Sequence, residues 1–258
     1  MLLSLEDISV AYPTRKGPVQ ALERLDLVVQ PSSFVSVLGP SGCGKSTLVK
    51  LVAGLLKPTT GRISFDGVAS TGARDDVGVA FQQAALLPWK SALENVLLPL
   101  RLKGQSNAAA REQAERLLDL VGLKGSRDSF PHELSGGMQQ RVSLARSLVR
   151  DPSVLVMDEP FSALDAMTRE NMMMELQRIW LDKRPSVLFI THSIAEAVFL
   201  SDRVLVMSGR PGRVIMDRTI DLPRPRTLDT LASPQFAELS NELRNLFRPD
   251  SPMHASAA

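Results

Sequence analysis

The chain has 258 residues, of which 44% are hydrophobic and 22% charged, and this length and composition fit one large or two modest folded domains. Its formal net charge of only +2 gives no reason to expect a nucleic acid as partner. Its single cysteine, Cys43, excludes a disulfide framework within the chain and favours a reducing compartment. No stretch approaches the roughly 18 apolar residues of a membrane span, and the N-terminus turns acidic at Glu6 and Asp7, so we expect a cytosolic protein without a secretory signal.

Residues 1–38 have the pattern of strands and turns that lead into a glycine-rich loop. Leu25, Leu27 and Val29 alternate with polar positions, and the apolar run 34–38 predicts a buried strand. A helix is predicted from 47 to 56. The nine residues between strand and helix fit the phosphate-binding pattern G-x-x-x-x-G-K-[ST] at every fixed position: Gly39-Pro40-Ser41-Gly42-Cys43-Gly44-Lys45-Ser46-Thr47.

This loop has the chemistry of a polyphosphate site. Its glycines let successive backbone N–H groups converge on one anion. Lys45 brings a positive charge to the terminal phosphates, and the Ser46 hydroxyl can ligate an accompanying Mg²⁺. The start of the following helix adds about 0.3–1 kcal/mol of attraction for an anion. An ordinary glycine-rich turn is the alternative, which the flanking strand and helix disfavour.

The middle of the chain is predicted to change from strand to helix. Strands are expected at 61–65 and 77–81, the second ending at Gln82. Residues 84–150 are predicted to form an inserted helical subdomain. Within it, one helix begins at Asn107 and another runs from Ser135 to Val149.

A pair of carboxylates follows the next apolar run. Residues 154–157 predict a buried strand, and Asp158 and Glu159 come directly after it. The carboxyl ends of strands form the ligand-binding edge of a parallel sheet. Asp158 is suited to hold Mg²⁺ on a phosphate, and Glu159 to polarise an attacking water. A surface acidic pair is the alternative.

A second anion site is predicted at the start of the helix that opens at Ser135. A capping hydroxyl, two glycines with bare N–H groups and a helix dipole coincide there. Two anion sites with only one lysine-bearing loop suggest that each serves a different nucleotide, in a pair of two-fold related chains. A plain helix cap is the alternative for this segment, which reads Leu134-Ser135-Gly136-Gly137-Met138-Gln139-Gln140-Arg141.

The remaining pattern completes an α/β fold with a mainly parallel sheet. A helix is predicted at 165–181 with its methionines in the core, a buried strand at 187–190, and a capping box at Ser193–Glu196. Strands at 203–207 and 213–216 are predicted to be joined by a solvated turn. We predict one domain over residues 1–220 and an extension over 221–258, helical at 235–247 and frayed from Ser251.

Taken together, these motifs resemble the ATPase subunit of an ATP-binding cassette (ABC) transporter, over roughly residues 3–218 and in the family's order. The resemblance implies a P-loop NTPase core with an N-terminal antiparallel β subdomain. It implies that residues 39–47 bind ATP while Tyr12 stacks on the adenine. It assigns the hydrolytic roles to Glu159, His192 and Gln82, and the Mg²⁺ ligands are Ser46, Gln82 and Asp158.

The same resemblance implies that two copies of the chain form a homodimer on binding ATP. The residues that cap the nucleotide of the opposite copy are then Ser135, Gly136, Gly137 and Gln139. The D-loop, Ser162-Ala163-Leu164-Asp165, places Asp165 at the dimer interface.

Two further stretches, 86–89 and 208–213, are similar to importers of nitrate, sulfonates or taurine. The resemblance implies a membrane permease as partner, an extracytoplasmic solute-binding protein, and a location on the cytoplasmic face of the inner membrane. Trp89 is either an anchor for a permease helix or a core residue. An ABC-type ATPase of DNA repair or translation is the alternative, disfavoured because the chain has one cassette and no long heptad insertion.

Overall fold

The computed structural model describes residues 2–162 and 164–248. The chain divides into two compact units: residues 2–74 together with 186–248, and residues 75–185. Ala163 of the predicted D-loop, and the end predicted to fray from Ser251, lie outside the described residues. None of the helices in the described part of the chain combines the length and apolar character needed to cross a membrane.

The first unit contains an antiparallel sheet near the N-terminus. Its strands are β1 (Leu3–Tyr12), β2 (Val19–Val29), β4 (Thr60–Phe65) and β5 (Val68–Ala69), in the order β2-β1-β4-β5. Alternating apolar residues of β1 and β2 face the core, with Leu3 opposite Val29 and Leu5 opposite Leu27. The predicted antiparallel subdomain is therefore confirmed.

The first unit also contains a mainly parallel set of strands. The fully buried β3 (Phe34–Leu38) pairs in parallel with β8 (Ser186–Thr191) and β9 (Arg203–Met207), and β10 (Val214–Thr219) runs antiparallel to β9. A strand buried on both faces explains the uninterrupted apolar sequence of β3. The helices of this unit are α1 (Lys45–Val52), α6 (Ile194–Leu200), α7 (Leu228–Leu231) and α8 (Pro234–Asn245).

The second unit joins a pair of parallel strands to a group of helices. β6 (Val77–Ala80) pairs with β7 (Val154–Asp158). Three helices that pack on one another are α2 (Ala92–Arg101), α3 (Ala108–Leu120) and α4 (Gly136–Leu148). The fourth, α5 (Ala166–Lys183), buries Met172 and Met173 as predicted. With the sheets of the first unit, these elements confirm the α/β class.

Some local predictions were wrong. Helix α1 ends at Val52, and not at 56, because Gly54 takes a positive φ that ends a helix. Residues 84–91 were included in the helical region but contain no helix, and are irregular apart from a short turn at 88–90. Helix α2 was not singled out, although Ser91 and Glu94 form a complete capping box at its start. The predicted boundaries at 84–150 and at 220 stay predictions.

Candidate active site

The phosphate-binding loop lies between β3 and α1, as the sequence predicts. Gly44 precedes the helix with φ of 104°, a left-handed conformation that glycine adopts at little cost. Lys45 is 5% exposed, and its Nζ donates to the carbonyl oxygens of Gly39 at 2.8 Å and Pro40 at 2.9 Å. The ammonium group is thus held across the mouth of its own loop.

Two other predicted site residues belong to this first unit. The Tyr12 hydroxyl is joined to Thr47 Oγ1 by a hydrogen bond of 3.2 Å, which brings the aromatic ring to the first turn of α1. His192 is exposed between β8 and α6. Ser193 caps α6 as predicted, but its own N–H donates to Thr191 Oγ1, and that hydroxyl donates to the buried Glu196 carboxylate. Thr191 therefore lies between the Ser193 N–H and the Glu196 carboxylate, which would bond directly in a standard capping box.

The acidic pair and the glutamine lie in the second unit. Asp158 is the last residue of β7 and is buried, so its carboxylate marks the carboxyl end of that strand. Glu159 follows with φ of 46°, a conformation that is costly for a residue with a side chain and is concentrated at functional sites. Gln82 Nε2 lies 3.4 Å from Ser162 Oγ, and this contact brings the predicted glutamine to the D-loop.

The start of α4 has the predicted form of an anion-binding helix end. Ser135 is exposed, and its Oγ accepts from the N–H of Met138 at 3.3 Å. Open space surrounds the position where Gly136 would carry a β-carbon. Gln139 differs from its neighbours because its amide donates to the carbonyl oxygens of Pro131 and Leu134, within the loop before the helix.

Asp165 has a local structural contact that the sequence analysis did not assign. Its carboxylate caps α5 by accepting from the N–H of Thr168 at 3.0 Å. Hydrogen bonds from the Thr168 backbone and hydroxyl lower the pKa of Asp165 below its ordinary value. The side chain therefore stays ionised at the start of α5.

Two residues of α4 hold the segment around Gln82 and were missed by sequence reasoning. Gln140 is buried and donates to the carbonyl oxygen of Phe81 at 3.2 Å. Arg146 donates to the carbonyl oxygens of Ala84 and Ala85, and burial lowers the pKa of its guanidinium. No local pattern indicates these contacts, because the partners are about 60 residues apart in the chain.

The comparison with protein families gives a direct result. The model of the ABC transporter family matches residues 22–162, which is more than half of the chain. The chain belongs to the ABC transporter family. The family predicted from the motifs of this ABC protein is therefore confirmed.

Curated relatives cover nearly the whole ABC protein. It is 46% identical over 263 residues to the taurine import ATP-binding protein TauB of Rhizobium johnstonii, with 99% of this chain and 100% of TauB covered. It is 42% identical over 254 residues to the nitrate import ATP-binding protein NrtD of Synechocystis, with 96% of each covered. The predicted similarity to the nitrate and taurine importer group is confirmed.

Solved structures support the same fold. A dimeric post-hydrolysis state of the ATP-binding cassette MJ0796, bound to ADP and Pi, is similar to this ABC protein with a TM-score of 0.76. The two are 31% identical in sequence, and the match covers 86% of this chain and 100% of that one.

Proposed function

We propose that this chain binds and hydrolyses ATP as the ATP-binding subunit of an ABC importer. The observation that carries the proposal is the loop of residues 39–47, with Lys45 held at its mouth, in a chain that matches import ATP-binding proteins over nearly its full length. The alternative, an ABC-type ATPase of DNA repair or translation, is not favoured because these relatives are named as import proteins.

The residues of the loop supply charge and directed N–H groups. Lys45 leaves the carbonyl oxygens of Gly39 and Pro40 when a triphosphate arrives, and its ammonium then neutralises the terminal phosphates. Tyr12 stacks on the adenine beside the first turn of α1. Phosphoryl transfer has a loose transition state, so positioning and charge do most of the catalytic work. Glu159 polarises the attacking water and His192 contacts the γ-phosphate.

The residues proposed to hold Mg²⁺ fit this ion by their chemistry. Ser46 offers a hydroxyl, Gln82 an amide oxygen and Asp158 a carboxylate, and Mg²⁺ prefers such hard oxygen ligands together with phosphate oxygens. The bound ion supplies charge neutralisation on the phosphates. Asp158, as the buried end of β7, is the residue most restricted in position.

Two copies of the chain form the complete ATP site in this proposal. The loop at Lys45 holds a nucleotide, while Ser135, Gly136 and Gly137 of the other copy cap it through the free end of α4. Asp165 lies at the same interface. The dimeric state of the similar MJ0796 structure supports an arrangement of this kind.

Mixing two inactive variants tests the composite site. Lys45→Ala and Ser135→Arg should each lack ATPase activity alone, because each breaks both sites of its own homodimer. A 1:1 mixture should recover about a quarter of the native rate, since half of its dimers are hybrids with one intact site. The measurement is steady-state phosphate release.

The matched control for the mixing experiment is Asn107→Arg. Asn107 caps α3 as Ser135 caps α4, through a bond from the N–H of Ala110, so this change removes a comparable cap without touching the proposed site. It should retain native activity. No recovery in the mixture, with both variants folded, would exclude a site shared between copies.

A groove in the second unit is the surface on which we place the permease. It has a volume of about 300 Å³ and is lined by Val79, Phe81, Leu98, Leu102 and Arg146 among others. Leu102 is 77% exposed and Phe81 38%. Trp89 is 68% exposed, so it is not a core residue. The groove also contains Asp75 and Arg150, but most of its lining is apolar. A mainly apolar surface beside the segment after Gln82 suits a short cytoplasmic helix of a membrane-embedded subunit.

Leu102→Asp should weaken the attachment of the chain to membranes. A carboxylate in the groove would lose its hydration when the permease helix docks, so the amount of chain that sediments with permease-containing membranes should fall about 10-fold or more. Leu228→Asp is the control, because Leu228 is also exposed, at 56%, but belongs to α7 of the first unit. Equal sedimentation of both variants would remove the groove from this role.

The solute is proposed from the relatives. We expect a small anion or zwitterion such as nitrate, a sulfonate or taurine, delivered by an extracytoplasmic solute-binding protein to the permease. The chain then works on the cytoplasmic face of the membrane and is attached there through the permease.

A further inference from the structure

The turn of residues 208–213 lies against the back of the phosphate-binding loop. It was predicted to be a solvated link between β9 and β10, but its Gly212 is buried. A β-carbon at Gly212 would overlap the carbonyl oxygen of Cys43 and come within 2.6 Å of Met207 Cε. The loop and the turn are thus in backbone contact that admits no side chain at position 212.

Gly212 is fixed in this place by hydrogen bonds on both sides. Its N–H donates to the carbonyl oxygen of Ala21 at 2.9 Å, and its own carbonyl accepts from the N–H of Glu23 at 3.0 Å. Within the turn, Ser208 Oγ bonds the carbonyl oxygen of Pro211 and the N–H of Arg213, both at 3.0 Å. The turn is therefore a rigid support and not a flexible connection.

The support acts on the peptide group between Cys43 and Gly44. In a trans peptide the C=O and N–H point in opposite directions. With the Cys43 carbonyl directed at Gly212, the Gly44 N–H is directed away from the turn. Backbone N–H groups of this loop are the ones expected to bind phosphate.

We propose that Gly212 is a positioning residue for ATP, which acts by fixing the orientation of the Cys43–Gly44 peptide. This inference rests on the proposed function, because it assigns a role toward the same nucleotide. A residue about 170 positions after the loop then sets the affinity for the β-phosphate. The requirement is for the absence of a side chain, since φ at Gly212 lies outside the left-handed region.

Gly212→Ala should weaken binding of both Mg-ATP and Mg-ADP by about 10- to 100-fold, the loss expected for one hydrogen bond to a charged group. The KM for ATP should rise by a similar factor, while kcat at saturating ATP falls less. Titration calorimetry at a temperature where the variant is folded gives the two affinities. Native affinity in the folded variant would overturn the inference, even if its melting temperature were lowered.

The control is Gly209→Ala in the same turn. A β-carbon at Gly209 meets no atom within 4 Å, so this variant should bind Mg-ATP as the native chain does. If it loses affinity as much as Gly212→Ala does, the contact with Cys43 is not the cause and the inference fails.

Two further variants complete the test. If Gly212→Ala does not fold, Ser208→Ala loosens the turn without adding bulk and should raise the Kd for Mg-ATP about fivefold; an unchanged Kd overturns the inference. Lys45→Ala separates this inference from the proposed function. If the native chain does not bind Mg-ATP, the proposed function and the inference both fail. If the native chain binds Mg-ATP and Lys45→Ala does not, the proposed site stands, and a native Kd for Gly212→Ala then overturns only the inference about Gly212.

Discussion

Glu159→Gln is expected to lower the rate of ATP hydrolysis by about 100- to 10,000-fold, the range that a positioned general base contributes. Glutamine has the same shape as glutamate, so the turn after β7 and the buried Asp158 should be undisturbed. What is lost is a carboxylate able to accept a proton from water. Mg-ATP binding, which depends on the loop at Lys45, should stay within a few-fold of native.

The variant should also accumulate as a dimer in Mg-ATP. If ATP closes two copies and hydrolysis reopens them, a chain that cannot hydrolyse stays closed. Analytical ultracentrifugation in saturating Mg-ATP measures this directly, with phosphate release followed on the same sample. Full turnover by the variant would remove Glu159 from the chemistry, and a monomer in Mg-ATP would contradict the composite site.

Glu112→Gln is the matched control for this change. Glu112 lies on the exposed surface of α3, where its carboxylate pairs with Arg116. Because this ion pair is exposed to solvent, it contributes little to stability. Both rate and oligomeric state should be native. A comparable loss in this variant would mean that the rate responds to any removed carboxylate.

The parts of the fold that were predicted are those with a local signal. The buried strand β3, the loop pattern that follows it and the acidic pair after β7 are each contained in a short run of residues. The cap at Ser135 also has a local signal, because a hydroxyl followed by two glycines specifies a helix start.

The parts that were missed depend on contacts between distant residues. The turn 208–213 has the local composition of a solvated hairpin, and only its approach to Cys43 shows that it supports the loop. Gln140 and Arg146 have ordinary positions on α4, and their roles come from carbonyl oxygens of residues 81–85. Helix α2 is different: its capping box is a local signal in the sequence, and the helix continues past Pro99.

The segment after residue 220 contains a buried side chain that its proline- and arginine-rich composition did not indicate. Arg226 is 1% exposed. Its guanidinium donates to the carbonyl oxygens of Val198, Phe199 and Ser201, at the end of α6, and to that of Leu222. The carbonyls of Val198 and Phe199 are left unpaired by α6 itself, since the last carbonyls of a helix have no partner within it.

Arg226→Met is therefore expected to destabilise the first unit by about 3–5 kcal/mol, because several buried carbonyl oxygens lose their donor and each unsatisfied group costs about 1–3 kcal/mol. Burial lowers the pKa of Arg226 to about 10, with a smaller effect from the charge of Arg224, so the guanidinium is protonated at neutral pH and its carbonyl contacts are charge-assisted. Methionine fills much of the volume but leaves the carbonyl oxygens of α6 buried and unsatisfied. Thermal unfolding should shift down by on the order of 10 °C.

Amide hydrogen exchange measures whether the loss of stability is located at α6. Amides of residues 194–201 should lose protection in Arg226→Met, because the end of α6 is no longer held. Arg218→Met is the control: its exposed ion pair with Glu242 on α8 is expected to contribute no more than about 1 kcal/mol, and its removal should leave α6 protected. If both variants unfold at the native temperature, the buried guanidinium does not hold α6.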